Sequence, residues 1–181
     1  MSSKIYEDPQ KVGTVSYING PVIKAVNMRS FAMHEVVRVG EKKLMGEILN
    51  MEEDRATIQV YEDTSGLKLE EKVYGTGEPL SIETGPGLIG SFFDGIGRPL
   101  DALLESEGMY IYPGTTVNMI DREKTWDINP TVQVGDLITS GTVLATVQET
   151  ENLLHKIMTP PGIEGEITWI ISAGEHKAGE D

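Results

Sequence analysis

From Val12 to Tyr61, short runs of alternating apolar and polar residues recur about every ten positions, separated by turn residues. Val12–Ile18 predicts a strand, Asn19-Gly20-Pro21 a turn, and Val22–Val26 a second strand. Met28–His34 has room for one helical turn. Glu35–Val39 and Leu44–Met51 read as two further strands around Gly40-Glu41-Lys42. Arg55–Tyr61 is the clearest case: Ala56, Ile58 and Val60 share one face, and Thr57, Gln59 and Tyr61 share the other. Short strands at this spacing predict a small β-barrel, which also removes exposed strand edges.

The rhythm breaks at Thr64–Leu67, and Val73–Ile82 reads as extended chain. It leads into Ile82–Asp101, a stretch dense in glycine and proline with apolar residues threaded through it. Such a composition predicts an ordered, tightly turned connection between two domains. Pro99–Glu107 carries the best helix signal, with Leu100, Leu103 and Leu104 at i, i+3, i+4 spacing and a stop at Gly108. Tyr110–Trp126 is expected to be irregular with one strand. A second β block begins near Asn129, with strands predicted at Thr131–Val134 and Val143–Val147, a Thr159-Pro160-Pro161-Gly162 turn, and Ile163–Ile171 to close it. The polar tail from Ser172 offers no predicted strand, so the chain is expected to continue in a longer parent. The fold class is therefore mainly β: an N-terminal barrel, a Gly/Pro-rich connection with a short helix, and a second barrel-sandwich-like domain. The expected boundaries are a polar lead-in at 1–11, the barrel at 12–74, the connection at 75–114 and the second domain at 115–181.

Charge and composition narrow the chemistry. Fifteen basic against 29 acidic residues give a net charge of −14, spread along the chain, which disfavours nucleic acid and anionic membrane surfaces as partners. Cysteine is absent, so there is no disulfide framework, thiolate metal site or cysteine nucleophile. No apolar run approaches the ~18 residues of a membrane span, and the start MSSKIYEDPQK is not a signal peptide.

Few residues invite a chemical role. A phosphate-cradling loop fits poorly: GxxxxGK[ST] occurs nowhere, and Gly95-Ile96-Gly97 lacks the third glycine of a dinucleotide fingerprint. His34, His155 and His176 have no shared metal-ligand spacing, and no serine sits in a GxSxG elbow. Glu52-Glu53 and Glu70-Glu71 read as solvated loop carboxylates, and Phe92, Phe93 and Trp126 as residues that bury against neighbours. Arg98, between glycine and proline, has a rigid fork of donors that suits backbone carbonyls or a carboxylate, which favours a local clamp over a ligand site. The V-x-V-G-D, G-x-x-L-A-x-V and T-P-P-G rhythm of the second block resembles biotinyl and lipoyl carrier domains. Their swinging arm needs a lysine at a hairpin tip. Here the expected tip, Glu149–Asn152, has none, and Lys156 lies nearer the next strand. A free-standing carrier or protein-interaction module is the alternative reading.

Several segments resemble the catalytic A subunit of V-type and archaeal-type rotary ATPases: Gly20-Pro21-Val22, Val36–Gly40, Gly46-Glu47-Ile48, Ala56–Leu67 (containing QVYEDTSGL), Gly85–Leu88, Phe93–Ile96 and Arg98–Leu100. His155-Lys156-Ile157-Met158-x-Pro160-x-Gly162 resembles an insert particular to that catalytic chain. The resemblance runs from about Val12 to about Glu175. It implies a crown barrel that alternates with B subunits in a hexameric head, a passage toward a nucleotide-binding domain, and a bulge domain that meets a peripheral stalk. It also implies a parent that couples ATP hydrolysis or synthesis to H⁺ or Na⁺ movement, uses ATP and Mg²⁺, and sits on the cytoplasmic side of a membrane sector. Gly85, Pro86, Gly87, Asp94, Gly95, Arg98, Pro99, His155, Lys156, Pro160 and Gly162 are then structural or assembly residues. The family's P-loop, catalytic glutamate and Mg²⁺ ligands match nothing here. No catalytic, nucleotide or metal residue is assigned, and this chain alone is expected to be inactive.

Overall fold

Residues 11–179 are described by the computed structural model. The expected lead-in falls outside them except for Lys11. Two compact units each have their own core. The first comprises the described residues up to Ile82 together with Phe93–Val117, and the second comprises Glu83–Phe92 and the chain from Asn118 onward. The Gly/Pro-rich stretch is thus divided at Phe92/Phe93, and over the described residues the chain passes between the units three times.

The first unit is a closed six-stranded barrel of β1 (Val12–Asn19), β2 (Val22–Val26), β3 (Glu35–Val39), β4 (Leu44–Glu52), β5 (Arg55–Val60) and β6 (Lys72–Pro79). Its strand order is β1-β2-β5-β4-β3-β6, and β6 pairs back onto β1 through Val12↔Tyr74. Closure satisfies the edge amides that an open sheet would expose. The alternation read from β5 is the one observed: Ala56, Ile58 and Val60 are buried, joining Val15, Ile23, Ala25, Val37, Val39, Leu44, Ile48 and Val73 in one core. Met28 and Phe31 plug that core from the segment before β3. This segment forms turns, not a helix, closed by Phe31 N–H on the Met28 carbonyl (3.1 Å) and Glu35 N–H on that of Ala32 (3.3 Å).

Helix α1 (Leu100–Glu107) follows Pro99 and ends at Gly108 (φ 77°). The predicted apolar stripe is only partly covered: Leu103 is buried, whereas Leu100 and Leu104 are exposed. Phe92, expected to be buried, is 71% exposed, because no described residue of its unit covers it.

The second unit contains β7 (Thr125–Pro130), β8 (Leu137–Ile138), β9 (Val143–Thr150), β10 (Leu153–Met158), β11 (Gly165–Glu166) and β12 (Gly174–Lys177). One sheet has the order β10-β9-β7-β12, and β8 pairs with β11. Trp126, Ala145, Val147 and Ile120 are its buried apolar residues. Three expectations are corrected here. Thr131–Val134 is not a strand, because the Asp136 carboxylate accepts the Gln133 N–H (2.7 Å) and the Asp136 N–H returns to the Gln133 carbonyl (3.1 Å), closing a turn. Of Ile163–Ile171, only Gly165–Glu166 is in a strand. The polar tail does supply one: β12 pairs antiparallel with β7 from Gly174↔Ile128 to Lys177↔Thr125. Backbone pairing at a sheet edge needs no apolar side chains, so periodicity could not reveal it.

Candidate functional site

Four polar residues follow the buried end of β5, and each becomes a tie. The Tyr61 hydroxyl donates to the Glu47 carboxylate, which His34 also contacts through Nδ1 (2.9 Å). Asp63 accepts the N–H (2.9 Å) and hydroxyl (2.7 Å) of Ser65, and Thr64 donates to the Gly20 carbonyl (2.9 Å). Glu62 is the hub. One oxygen accepts the Met45 N–H from β4 (2.8 Å), and the other accepts the Gly114 N–H (3.0 Å) and Arg98 Nη1 (3.0 Å).

Arg98 reaches this hub from a loop built by its own sequence neighbours. Asp94 accepts the N–H groups of Ile96 (3.1 Å) and Arg98 (2.9 Å) and binds Arg98 Nε (2.7 Å). Arg98 Nη1 also donates to the Thr115 carbonyl (3.1 Å). Side-chain exposures of 8% for Glu62, 14% for Arg98 and 20% for Asp94 remove most of the solvent screening that makes surface pairs weak. Burial pushes the Asp94 carboxyl up, but the Arg98 and Ile96 amides and the Arg98 guanidinium outweigh it and hold its pKa below the ordinary value. At Glu47 the Tyr61 hydroxyl, and then His34, likewise hold the pKa down. Tyr61 itself is pushed up to about 12, by burial first and the Glu47 bond second. Gly114 is required where it stands: it adopts φ 83°, and a Cβ there would collide with the Lys42 carbonyl.

A second buried carboxylate, Glu35, binds Lys11 Nζ (3.0 Å) and accepts the N–H groups of Ala32 (2.8 Å) and Gly77 (2.8 Å), tying the start of β1 to β3 and β6. Glu71, expected to be a solvated loop residue, accepts the N–H groups of Glu41 (2.9 Å) and Lys68 (3.0 Å). These carboxylates hold backbone.

The remaining sequence-derived candidates lie elsewhere. Gly95 is exposed in the Arg98 loop, and Pro99 caps α1 and bridges to Phe93. Gly85, Pro86 and Gly87 belong to the second unit. There a Cβ on Gly85 would meet Ile120 at 2.6 Å, one on Gly87 would meet Trp126 at 3.2 Å, and the Gly87 N–H donates to Glu149 (2.8 Å). His155, in β10, has Nδ1 3.7 Å from the same Glu149 carboxylate. Gly162 donates its N–H to the Ser140 hydroxyl (2.9 Å), next to an exposed Pro160. Lys156 is exposed within β10, opposite Thr146, and the β9–β10 tip falls at Glu151-Asn152. A swinging arm on Lys156 would therefore start from a strand, not a projecting tip. Among the described residues, no group of three or more metal-ligating side chains gathers.

The structure thus joins Asp94 and Arg98 into one cluster, and Gly87 and His155 around Glu149. It adds Glu62, Glu35, Glu149 and Gly114, to which composition and spacing assign no such roles. Only Glu62 carried a signal: a carboxylate placed directly after a buried strand.

Comparison with known proteins agrees with both halves of the chain. The family described as "ATP synthase alpha/beta family, beta-barrel domain" matches residues 15–77, and "ATPsynthase alpha/beta subunit barrel-sandwich domain" matches residues 117–181. The chain is 51% identical over 169 residues to the V-type ATP synthase alpha chain 2 of Clostridium tetani, covering 93% of this chain and 28% of that protein. It is 49% identical over 164 residues to the A-type ATP synthase A subunit of Methanopyrus kandleri, covering 91% and 28%. It is 52% identical over 160 residues to the second A-type ATP synthase A subunit of Methanospirillum hungatei, covering 88% and 27%. The chain therefore spans under a third of the length of these relatives.

Proposed function

This chain carries the N-terminal β-barrel and barrel-sandwich domains of the V/A-type ATP synthase A subunit, and from that premise we propose that it serves assembly and positioning, not phosphoryl transfer. The observation that carries the reading is an uncovered apolar surface on the first unit. Leu100 and Leu104 of α1 are 41% and 58% exposed, and Met109, Tyr110 and Tyr112 are 90%, 78% and 60% exposed. A run of this size is not an ordinary solvated surface. Together with relatives more than three times as long, it supports a surface that packs on the nucleotide-binding domain of a longer parent chain. The Glu62–Arg98 clamp would hold Phe93–Val117 in place for that contact.

In the parent, the barrel would join B subunits in the head, and the second unit would be the bulge that meets a peripheral stalk. ATP and Mg²⁺ would be bound by the nucleotide domain, in a complex on the cytoplasmic side of an H⁺- or Na⁺-translocating membrane sector. Phosphoryl transfer needs a phosphate cradle, a lysine and a metal site, and the 181 residues contain no GxxxxGK[ST] pattern. Amide exchange tests the contact: residues 100–112 should exchange rapidly in this chain and slowly in the full-length parent, and equal rates would refute it. Calorimetric titration with MgATP should show no micromolar binding to this chain.

A further inference from the structure

The second unit buries three side-chain polar atoms that have no hydrogen-bond partner among the described residues: Glu83 Oε2, Trp126 Nε1 and Glu149 Oε2. The charge of Glu83 is met by Arg122 through its other oxygen. The remaining two lie on one face of the sheet. Ile128 of β7 pairs with Val147 of β9, and Trp126 and Glu149 stand two positions further along these strands on the same side. Trp126 is 8% exposed and the Glu149 side chain 4%, so bulk solvent serves neither atom.

Gly87 touches both residues. Its N–H donates to Glu149 Oε1 (2.8 Å), and a Cβ there would meet Trp126 Cζ2 at 3.2 Å. Cζ2 is bonded to the carbon that carries Nε1, which puts the indole nitrogen within two bonds of that approach. His155, opposite Val147 in β10, shares the face. Its Nδ1 lies 3.7 Å from Glu149 Oε2, too far for a direct hydrogen bond and a spacing that a water bridges.

The two atoms have complementary needs. An indole N–H only donates, and a carboxylate oxygen accepts. A metal cation cannot accept the N–H, and an anion cannot donate to the carboxylate. Water does both with one atom, and His155 Nδ1 offers it a third partner in either tautomer. Buried waters make about three hydrogen bonds to groups of this kind. We propose that an ordered water, held by Trp126 Nε1, Glu149 Oε2 and His155 Nδ1, fastens the Gly85–Gly87 loop to this sheet. Glu149 is the link: one oxygen holds the Gly87 backbone and the other holds the water. The tie matters because the buried apolar residues described in this unit are few: Ile120, Trp126, Ala145 and Val147. The water site is independent of the assembly reading.

Nuclear magnetic resonance of the isotope-labelled 181-residue chain tests this, with Trp169, the other tryptophan and 63% exposed, as internal control. The Trp126 indole N–H should show a dipolar cross peak to a long-lived water, whereas the Trp169 indole should show only rapid solvent exchange. Trp169→Phe assigns the two signals without touching the core. Glu149→Leu should abolish the water cross peak and speed exchange of the Gly87 amide at least ~tenfold. A folded wild-type chain without the cross peak, or a cross peak that persists in Glu149→Leu, would overturn the site. If Glu149→Leu does not fold, Glu149→Gln keeps the shape and removes the charge. The Trp126 indole resonance should then move through the shared water, and an unmoved resonance would equally overturn the proposal.

Discussion

Glu62→Ala is the sharpest test of how the first unit is held together. The substitution removes the acceptor of three hydrogen bonds: Met45 N–H at 2.8 Å, Gly114 N–H at 3.0 Å and Arg98 Nη1 at 3.0 Å. A buried donor left without an acceptor costs ~1–3 kcal/mol, and breaking a buried ion pair costs ~3–5 kcal/mol. Arg98 keeps Asp94 and the Thr115 carbonyl, so its charge is not left unpaired and the ion-pair cost largely drops out; the two orphaned N–H groups of Met45 and Gly114 leave about 3 kcal/mol. For a unit of this size that corresponds to roughly 12–24 °C in midpoint temperature. The chain provides its own separate reporters. Trp126 and Trp169 are its only tryptophans, and both lie in the second unit, whereas all the described tyrosines lie in the first. Near-ultraviolet circular dichroism of tyrosine should show the loss, while the tryptophan fluorescence midpoint stays within ~2 °C, as expected for a substitution outside that unit. A tyrosine midpoint displaced by less than ~5 °C, about 1 kcal/mol, would refute the clamp.

Further outcomes follow from the same geometry. Gly114→Ala should destabilise the barrel by at least ~2 kcal/mol in urea titration, because it combines a positive φ with a backbone collision. Gly95→Ala, where a Cβ meets nothing within 4 Å, should stay within ~0.5 kcal/mol. Asp94 has a folded pKa below its unfolded value, so its contribution is present above about pH 4 and is lost as pH falls through the folded pKa. Asp94→Asn should flatten the acid limb of a stability–pH profile. Tyr61 has the opposite sign: its folded pKa of about 12 lies above the ordinary 10, so its contribution is complete below pH 10 and is lost as pH rises toward 12. Tyr61→Phe should remove one late-titrating phenol from an absorbance titration near 295 nm and reduce the alkaline loss of stability.

Alternation along β5 determined which of its faces is buried, and Gly20 with Gly108 placed a turn and a helix stop, because these are local properties of backbone and period. The motif from Tyr61 to Leu67, with the segments around Arg98 and His155, was enough to indicate the family. The pairing order β1-β2-β5-β4-β3-β6 and the tail strand β12 came only from the tertiary structure, since backbone hydrogen bonds between strands leave no mark in side-chain pattern. The same holds for the clamp. Arg98 shows a local need for acceptors, which Asp94, four residues away, partly meets. Glu62 lies 36 residues from Arg98 and 52 from Gly114, and only the packing of Phe93–Val117 onto the barrel brings them within hydrogen-bond distance. Sequence determines which groups must find partners; the fold decides which partners they find, because that depends on which distant segments pack into one unit.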